Sequence, residues 1–454
     1  MDPHQARNLS RAGVVALCLV QFVDVLGVTA ATIAIPAIVR AFHADGGAAA
    51  LVASAYATAF GGLLVLGARA GDRWGHRRVL LCGVACFGVV GAAGAAAPSI
   101  WFVVAARAAQ GAAAAISVPS AQRLLLAGID HERRRGAALA LWSAAGAVAG
   151  ACGFVVGGLL VQAFGWPAVF WVNSPVAAVL LGSLLISTRG VGGAVDRSIL
   201  LGVAGAALLV TAVSSVVLGA ALAEAGRTRG LGLVLFAAGI VFMALLFAQQ
   251  RRTAAPLLAP GAARSRNLRV GVTVSFLNTA TTSSAAVLAT LLLQDRLGLP
   301  AAQAGFVLLP VSVGAIAGAV LAPRIGRRFP PSRTAAIGLT GIAAGDLVLA
   351  STTPSVLGVA AGGMLLGVGL GIASVPATAI GSTVPPALLG SATGVINTGA
   401  QLGTAVGSAA LVVLAVSIGG VGGSVVGWTT AALLAGAAAG LLVLARHEER
   451  ALST

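Results

Sequence analysis

Three ionisable side chains lie deep inside long apolar runs: Asp24, Arg107 and Asp346. If the runs are helices, with a rise of about 1.5 Å per residue, Asp24 lies about 18 Å from the start of its run and Arg107 about 9 Å beyond Trp101. Ionisable groups at such a depth in a membrane commonly mark ion pathways or proton relays. We therefore predict that Asp24 binds and releases protons beside Arg107. The alternatives are a neutral, hydrogen-bonded Asp24 that holds helices together and an Arg107 that extends to the surface, while the role of Asp346 stays open.

A row of polar side chains marks one face of a later apolar run. Ser275, Asn278, Thr279 and Thr282 are spaced i, i+3, i+4 and i+7, so they share one face of a helix. We predict that this face, together with Gln110 of an earlier run, lines a substrate cavity. Alternatively, the hydroxyl groups bond to carbonyls of their own helix.

The composition requires a membrane protein. The chain has 454 residues, of which 58% are hydrophobic and 9% charged, with a mean hydropathy of +1.00. Soluble domains contain about 25% charged residues, so a soluble protein of this length is excluded. Fourteen apolar runs, from 12–36 to 425–445, are each long enough to cross the hydrocarbon core of a bilayer. The predicted fold class is an all-α polytopic membrane protein with 14 transmembrane helices.

The arginines determine the predicted orientation. All 28 basic residues are Arg and the net charge is +16, but the arginines interrupt apolar runs and do not form one accessible face, as nucleic-acid binding would need. With the N-terminus inside, 23 of the 28 lie on the cytoplasmic side, four lie outside and Arg107 lies within a span. By the positive-inside rule, we predict a multi-pass protein of the cell inner (plasma) membrane with both termini cytoplasmic and no nucleic-acid partner.

The sequence contains an internal repeat. The loop after the second run reads A-R-A-G-D-R-W-G-H-R-R from Ala68, and the loop after the tenth reads P-R-I-G-R-R-F-P-P-S-R from Pro323, an offset of 255 residues. Repeated halves with a site at their interface are typical of transporters. We predict an N-terminal six-helix bundle at 1–190, two inserted helices and a cytoplasmic linker at 191–262, and a C-terminal six-helix bundle at 263–454.

The first of these loops resembles a known motif. Residues 68–80 resemble the loop 2–3 sequence of the major facilitator superfamily, G-x-L-A-D-R-x-G-R-R-x-x-L, with Asp72, Arg73, Gly75, Arg77 and Arg78 in place. In that family the loop is taken to hold the inward gate shut, so the resemblance implies a cytoplasmic gate made of these residues. Gly75 permits a tight turn, and Asp72 can pair with an arginine. An ordinary positively charged cytoplasmic loop is the alternative.

Further runs resemble motifs of proton-coupled exporters. The run R-A-A-Q-G-A-A-A-A from Arg107 resembles the motif R-x-x-Q-G-x-x-x-A of proton antiporters, and the run at 146–158 resembles the exporter motif G-P-x-x-G-G. Gly153, Gly157 and Gly158 match the exporter motif, with Phe154 in place of its proline; small residues at this spacing also indicate close helix packing. The run W-P-A-V-F-W-V-N-S-P at 166–175 resembles the start of span six in the fourteen-span drug:proton antiporter family.

The resemblance implies the major facilitator fold, with two six-helix bundles plus two inserted central helices. It also implies proton-coupled efflux of amphipathic small molecules, such as antibiotics or drugs, across the bacterial cell membrane by alternating access. The expected partners are that substrate, protons and the lipid bilayer; the expected state is a monomer that uses the proton gradient and no cofactor. A proton-linked carrier for one metabolite or a self-made natural product is the near alternative. A membrane enzyme is the distant one, since the five His are scattered in loops and form neither a catalytic cluster nor, with the four Cys, a metal site.

Overall fold

Fourteen helices that are long and apolar enough to cross a membrane make up the described part of the computed structural model. The structure describes residues 9–451 apart from 45, 130–131, 192–194, 225–227, 254–255, 258–264 and 385–388. The predicted all-α fold class with fourteen spans is confirmed. A chain with so few charges crosses a membrane as helices because a helix satisfies its backbone N–H and C=O groups internally, which lipid cannot do.

The helices form two halves separated by an inserted pair. The N-terminal half consists of α1 (Arg11–Ala41), α2 (Gly46–Trp74), α3 (His76–Ala95), α4 (Ile100–Ala127), α5 (Glu132–Phe164) and α6, which is divided into Pro167–Trp171 and Asn173–Ser187. The inserted pair is α7 (Val203–Glu224) and α8 (Arg229–Arg252). The C-terminal half consists of α9 (Arg266–Leu291, continued by a π-helical turn at Leu292–Arg296), α10 (Ala301–Gly326), α11 (Pro331–Thr352), α12 (Val356–Gly381), α13 (Leu389–Ile418) and α14 (Gly420–Ala451).

Several helices begin or end four or more residues from the predicted bounds, among them α1, α2 and α7. The first span was predicted to end at Pro36, but α1 continues to Ala41 with the proline inside it; membrane helices tolerate proline because neighbouring groups satisfy the freed carbonyl. α7 begins at Val203 and not at 199. The segment before it is a turn, because Ser198 donates its backbone N–H and its hydroxyl to the Asp196 carboxylate at 2.9 and 2.6 Å. These hydrogen bonds also lower the pKa of Asp196.

The first three helices of the two halves begin at matching positions. α9, α10 and α11 start at Arg266, Ala301 and Pro331, each 255 residues after the start of α1, α2 or α3. Ser10 and Ser265 cap α1 and α9 in the same way, since each side chain accepts a hydrogen bond from a backbone N–H three residues later. This offset equals the one read from the loops. The domain boundaries at 190/191 and 262/263 stay predictions, and the second lies outside the described residues.

The two halves contact each other mainly through two pairs of helices. α2 packs against α13, and α5 packs against α10. A smaller contact joins α1 to α9. α7 packs against both α2 and α13, and α8 packs against α7. The inserted pair therefore lies beside the α2–α13 contact and touches both halves.

The two ends of the helix bundle are defined by the helix termini and loops that lie at each. The start of α1 meets the ends of α4 and α6, where the Leu9 N–H donates to the Gly128 carbonyl at 2.9 Å and Gly13 lies against Ser187. We call this end, which includes the α2–α3 loop, the Arg-rich face. The end at which α1 and α9 finish is called the opposite face.

Candidate functional site

A cavity of about 420 Å³ lies between the two halves. Its wall is formed by α1, α2, α4 and α5 on one side and by α9, α10, α12 and α13 on the other. Small apolar side chains make up most of the wall, and Arg107 is the one charged residue among the described residues that line it. The size suits a small organic molecule, because such sites are commonly about 300–1,000 Å³.

Hydroxyl groups supply the remaining side-chain polarity of this wall. They belong to Thr29, Thr32, Thr282, Ser283, Ser312, Ser374, Thr404 and Ser408. Thr29, Thr32 and Thr282 each donate to a carbonyl of their own helix, at 3.1, 3.0 and 2.8 Å. Ser312 donates across the two halves to the Gly150 carbonyl at 2.8 Å. A hydroxyl whose hydrogen is used in this way remains an acceptor, so the wall mainly offers acceptors to a bound molecule.

Arg107 belongs to a buried group that extends from the cavity wall into the N-terminal half. Its guanidinium lies over the ring of Tyr56, 4.6 Å from the ring centroid, and the Tyr56 hydroxyl donates to Asp24 Oδ1. Asp24, Tyr56 and Arg107 are 7%, 2% and 4% exposed, and we call them the Asp24 group. The structure thus brings together Asp24 and Arg107, two of the three ionisable residues that the sequence places deep inside apolar runs. Tyr56 was not predicted from the sequence, although it is the single tyrosine of the chain.

Close approach of α2 and α4 places Arg107 over Tyr56. A Cβ on Gly111 would lie 2.2 Å from the Tyr56 carbonyl oxygen, so only glycine allows this separation of the helices. Gln110 accepts a long hydrogen bond of 3.4 Å from Arg107 Nη1. Among the described residues, Arg107 Nε and Gln110 Nε2 have no hydrogen-bond partner. The R-x-x-Q-G spacing therefore brings α4 against α2 and leaves the guanidinium with unused donors.

Asp24 faces away from the central cavity. Its side chain borders a small cavity of about 20 Å³ inside the N-terminal half, between α1, α3, α4 and α6. The other residues that line this small cavity are apolar apart from Ser117. Asp24 is therefore connected to the central cavity through Tyr56 and Arg107, and is not part of the described cavity wall.

Only part of the predicted cavity face lines the central cavity. Thr282 does, but four of the predicted residues do not belong to the wall as the structure describes it: Gln110, Ser275, Asn278 and Thr279. Thr279 donates to a backbone carbonyl of α13 at 2.5 Å, and Asn278 donates to Ser374 of α12 at 3.0 Å. The predicted polar face of α9 contacts more than one neighbour because α13 packs closely against it at Gly403. A Cβ on Gly403 would lie 2.5 Å from the Thr279 hydroxyl.

The three glycines of the exporter-like run face two different helices. A Cβ on Gly153 or Gly157 would collide with atoms of α1, in the same half. A Cβ on Gly158 would lie 2.4 Å from the Ala301 carbonyl oxygen of α10, in the other half. Phe154, which stands in place of the motif's proline, lines the central cavity. The run therefore packs α5 both within its half and across the interface.

The acidic residue of the α2–α3 loop has a different partner from the one expected. The Asp72 carboxylate lies 3.0 Å from His76 Nε2, so its side-chain partner in the described structure is a histidine and not an arginine. Gly75 has a φ of +94°, which glycine adopts readily. This turn starts α3 at His76 and returns the imidazole to Asp72, which corrects the predicted Asp72–arginine pair.

The arginines of the loop bind the segments around the inserted pair. Arg73 donates to the backbone carbonyl of residue 199, just before α7, at 2.8 Å, and Arg69 donates to the carbonyl of residue 256, after α8. The Asp72 carbonyl accepts from the backbone N–H of residue 196 at 3.1 Å. Arg77 donates to a carbonyl near the end of α6 at 3.1 Å, and Arg78 is exposed. The loop therefore holds the connections of the inserted pair to the N-terminal half.

At the opposite face, hydrogen bonds join the two halves directly. Arg40 at the end of α1 forms an ion pair with Asp295 at the end of α9. Gln294 donates to the Ile33 carbonyl at 2.8 Å, and Gln162 of α5 accepts from the N–H of the second residue of α10 at 3.3 Å. Arg40 and Asp295 are 255 residues apart, so they occupy equivalent positions in the two halves. These contacts hold the two halves together at the opposite face in this conformation.

Asp346 lies in α11, which packs against α12 and α14 and contributes no residue to the central cavity in the described structure. The side chain is fully buried, at 0% exposure, and neither carboxyl oxygen has a hydrogen-bond partner among the described residues. An unpaired charge in such surroundings would be very costly. The described contacts give this carboxyl no connection to the Asp24 group.

A family model and several known proteins match this sequence. A family model described as Major Facilitator Superfamily matches residues 17–192 and 193–408. The puromycin resistance protein pur8 of Streptomyces alboniger is 32% identical over 88% of this chain and 80% of its own. The multidrug efflux pump LfrA of Mycolicibacterium smegmatis is 31% identical over 90% of this chain and 82% of its own. The cephamycin export protein CmcT of Amycolatopsis lactamdurans is 31% identical over 92% and 87%.

Solved structures share the fold along the whole chain. The crystal structure of the peptide transporter POT in complex with sulfate has a TM-score of 0.74, covering 99% of this chain and 98% of that one. The sequences are 15% identical, so this likeness shows the fold alone.

Proposed function

The chain belongs to the major facilitator superfamily, and on that premise we propose that it exports amphipathic small molecules, such as antibiotics or other drugs, in exchange for protons. It is a multi-pass membrane transporter and not an enzyme. The names of three relatives, which refer to resistance, efflux and export, support this direction of transport. The observation that carries the proposal is the Asp24 group, which connects a buried carboxyl to the one charge described on the wall of the central cavity.

Proton coupling in this proposal uses Asp24 as the proton site and Arg107 as its charged neighbour. Protonation of Asp24 adds one positive charge to the Asp24 group. Because binding energies are reciprocal, a proton that disfavours a substrate at the wall is itself disfavoured by that substrate, as exchange requires. The positive Arg107 and the absence of a carboxylate from the described wall favour neutral to monovalent substrates and disfavour dications.

Alternating access is supported by the way the two halves meet. The contacts of Arg40, Gln162 and Gln294 close the opposite face in this conformation. We assign the Arg-rich face to the cytoplasm, with both chain ends there, in the inner (plasma) membrane. The central cavity then exchanges its substrate on the cytoplasmic side in this conformation, and the opposite face opens in the other.

The proposed cytoplasmic gate is the α2–α3 loop, with Asp72, Arg73, Gly75, Arg77 and Arg78. Its hydrogen bonds to the segments around α7 and α8 couple the inserted pair to the N-terminal half. The gate is therefore expected to act on the inserted pair as well as on the two bundles.

Transport by purified protein in liposomes tests the proposal. A susceptibility screen in a host that lacks its own efflux pumps first identifies transported compounds. Uptake of one such compound into liposomes with an acidic interior then measures exchange for protons. The test variant is Asp24→Asn, which removes the proton site but keeps the volume and hydrogen-bonding capacity, and the matched control is Asp346→Asn, at the other buried carboxyl.

We expect Asp24→Asn to reduce uptake that depends on the pH gradient at least about tenfold, the effect of some 1.4 kcal/mol or more. The same variant should retain exchange of labelled for unlabelled compound without a gradient, because Asp24 does not belong to the described cavity wall. Asp346→Asn should behave like the unmodified protein. Full gradient-dependent uptake by Asp24→Asn would refute the assignment of the proton site.

A further inference from the structure

Tyr56 is the one member of the Asp24 group that has no role in the proposed exchange. Its hydroxyl donates to Asp24 Oδ1, and its ring lies under the guanidinium of Arg107. Within the described structure, no hydrogen bond or ion pair joins Asp24 directly to Arg107. Asp24 borders the small cavity inside the N-terminal half, whereas Arg107 lines the central cavity. The proton site and the cavity wall are therefore in contact through Tyr56.

We infer that Tyr56 is a positioning residue that transmits the protonation state of Asp24 to Arg107, and through Arg107 to the cavity wall. This inference rests on the proposed function, since it takes Asp24 as the proton site. An ionised carboxylate only accepts hydrogen bonds and so holds the Tyr56 hydroxyl as a donor, whereas a protonated carboxyl can donate one itself. Hydrogen bonds to an ionised acceptor are about twice as strong as neutral ones. Protonation of Asp24 therefore weakens its hold on the hydroxyl.

The aromatic ring of Tyr56 transmits this weakening of the Asp24–Tyr56 hydrogen bond to Arg107. One rigid ring carries the hydroxyl that binds Asp24 and the face that binds the guanidinium by a cation–π contact. The ring is 2% exposed and packs edge-on against Phe60, with the ring centroids 5.8 Å apart. In such close packing, the ring cannot turn away from Asp24 without displacing the guanidinium.

No other titratable group competes for this role in the described structure. The side chains of α1, α3, α4 and α6 that line the small cavity beside Asp24 are apolar apart from Ser117. Tyr56 comes from α2 and Arg107 from α4, and these are the titratable or charged groups that face Asp24 among the described residues. Asp24 also acts on Arg107 through the attraction of their charges, and Tyr56 supplies the contact that joins the two residues by a hydrogen bond and an aromatic face.

The test measures how pH shifts the conformation, without any substrate. Spin labels at Trp101→Cys in α4 and Leu357→Cys in α12, both exposed at the opposite face, report the distance between the halves by double electron–electron resonance. The protein is in lipid nanodiscs, and its four native cysteines are replaced by serine. Distances are compared between about pH 5.5 and about pH 8, a range that spans carboxyl titration in buried sites.

Four versions of the labelled protein separate the possible outcomes. Tyr56→Phe keeps the ring and removes the hydroxyl, Phe60→Leu is a control for packing on the same helix, and Asp24→Asn removes the proton site. We expect the otherwise unmodified protein and Phe60→Leu to change their distance distribution with pH, and Asp24→Asn not to change it. Tyr56→Phe should reduce the pH-dependent change in the ratio of the two conformations at least about fivefold, roughly 1 kcal/mol of coupling, with an unfolding temperature close to that of the control.

The measurements distinguish failure of the role assigned to Tyr56 from failure of the proposed function. If Tyr56→Phe responds to pH as fully as Phe60→Leu does, the role of Tyr56 is refuted while the role of Asp24 stands. If Asp24→Asn keeps the pH response of the unmodified protein, or that protein shows none, the proposed function fails and this inference fails with it. A merely structural role for the hydroxyl would lower the unfolding temperature of Tyr56→Phe and leave its pH response intact, which also refutes the inference.

Discussion

Replacement of Gly158 by alanine should open the opposite face. In the described conformation, a Cβ at this position would lie 2.4 Å from the Ala301 carbonyl oxygen and 2.9 Å from the Ala302 Cα, where ordinary contacts are 3.4–4 Å. Since these are backbone atoms of α10, the two helices must separate by about 1 Å, and overpacking of this kind costs about 1–3 kcal/mol. A conformation with the opposite face open does not have this contact. The ratio of open to closed molecules should therefore rise by about 5- to 150-fold.

The measurement uses the same pair of labels, at Trp101→Cys and Leu357→Cys, and reads the fraction of molecules with the longer distance. Gly157→Ala is the matched control, because its Cβ would collide with α1 of the same half, 2.6 Å from a backbone Cα. That collision persists in both conformations, so Gly157→Ala should lower the unfolding temperature without changing the ratio. Gly182→Ala, where nothing lies within 4 Å, should change neither quantity. Equal shifts from the alanines at 157 and 158 would contradict the assignment of Gly158 to the interface between the halves.

Two further outcomes concern topology and substrate charge. Reporter fusions after His43 and after Leu297 should report the outside, and fusions after Arg78 and after Arg328 the cytoplasm; a cytoplasmic result after Leu297 would contradict the odd number of spans, nine, that precede it. Liposomes should take up ethidium, a monocation, at least about tenfold faster than a dication of similar size, because a second unpaired charge in an apolar cavity is very costly; faster uptake of the dication would contradict the charge argument.

The fold was predictable because each span is long and apolar, which requires only composition and length. The contact partners of single side chains were less predictable, since they depend on how each helix is rotated against its neighbours. Thr279 and Thr282 share a helix face, yet Thr279 contacts α13 and Thr282 contacts the cavity. The spacing in α9 alone cannot say that Gly403 of another helix brings α13 so close.

The sequence identified the charged residues of the site but not the side chains that they contact. Asp24 and Arg107 stood out because both are charged residues inside apolar runs. Tyr56 did not, since an aromatic residue in an apolar helix is ordinary; its role emerges only when Gly111 brings α4 against α2. In the same way, the partner of Asp72 is His76 and not an arginine because a backbone turn at Gly75 returns the imidazole to the carboxylate.

The ion pair between Arg40 and Asp295 also carries information about the repeat. The two residues hold the same place in the two halves, 255 positions apart, so each is the counterpart of the other. In a symmetric dimer of two identical six-helix chains, a residue that contacts its own counterpart across the twofold axis meets an identical residue, so this position would set arginine against arginine or aspartate against aspartate. Attraction at this point requires the two copies to differ. This contact at the opposite face therefore requires two halves that carry different residues at the repeated position, as a single chain with two unlike halves can.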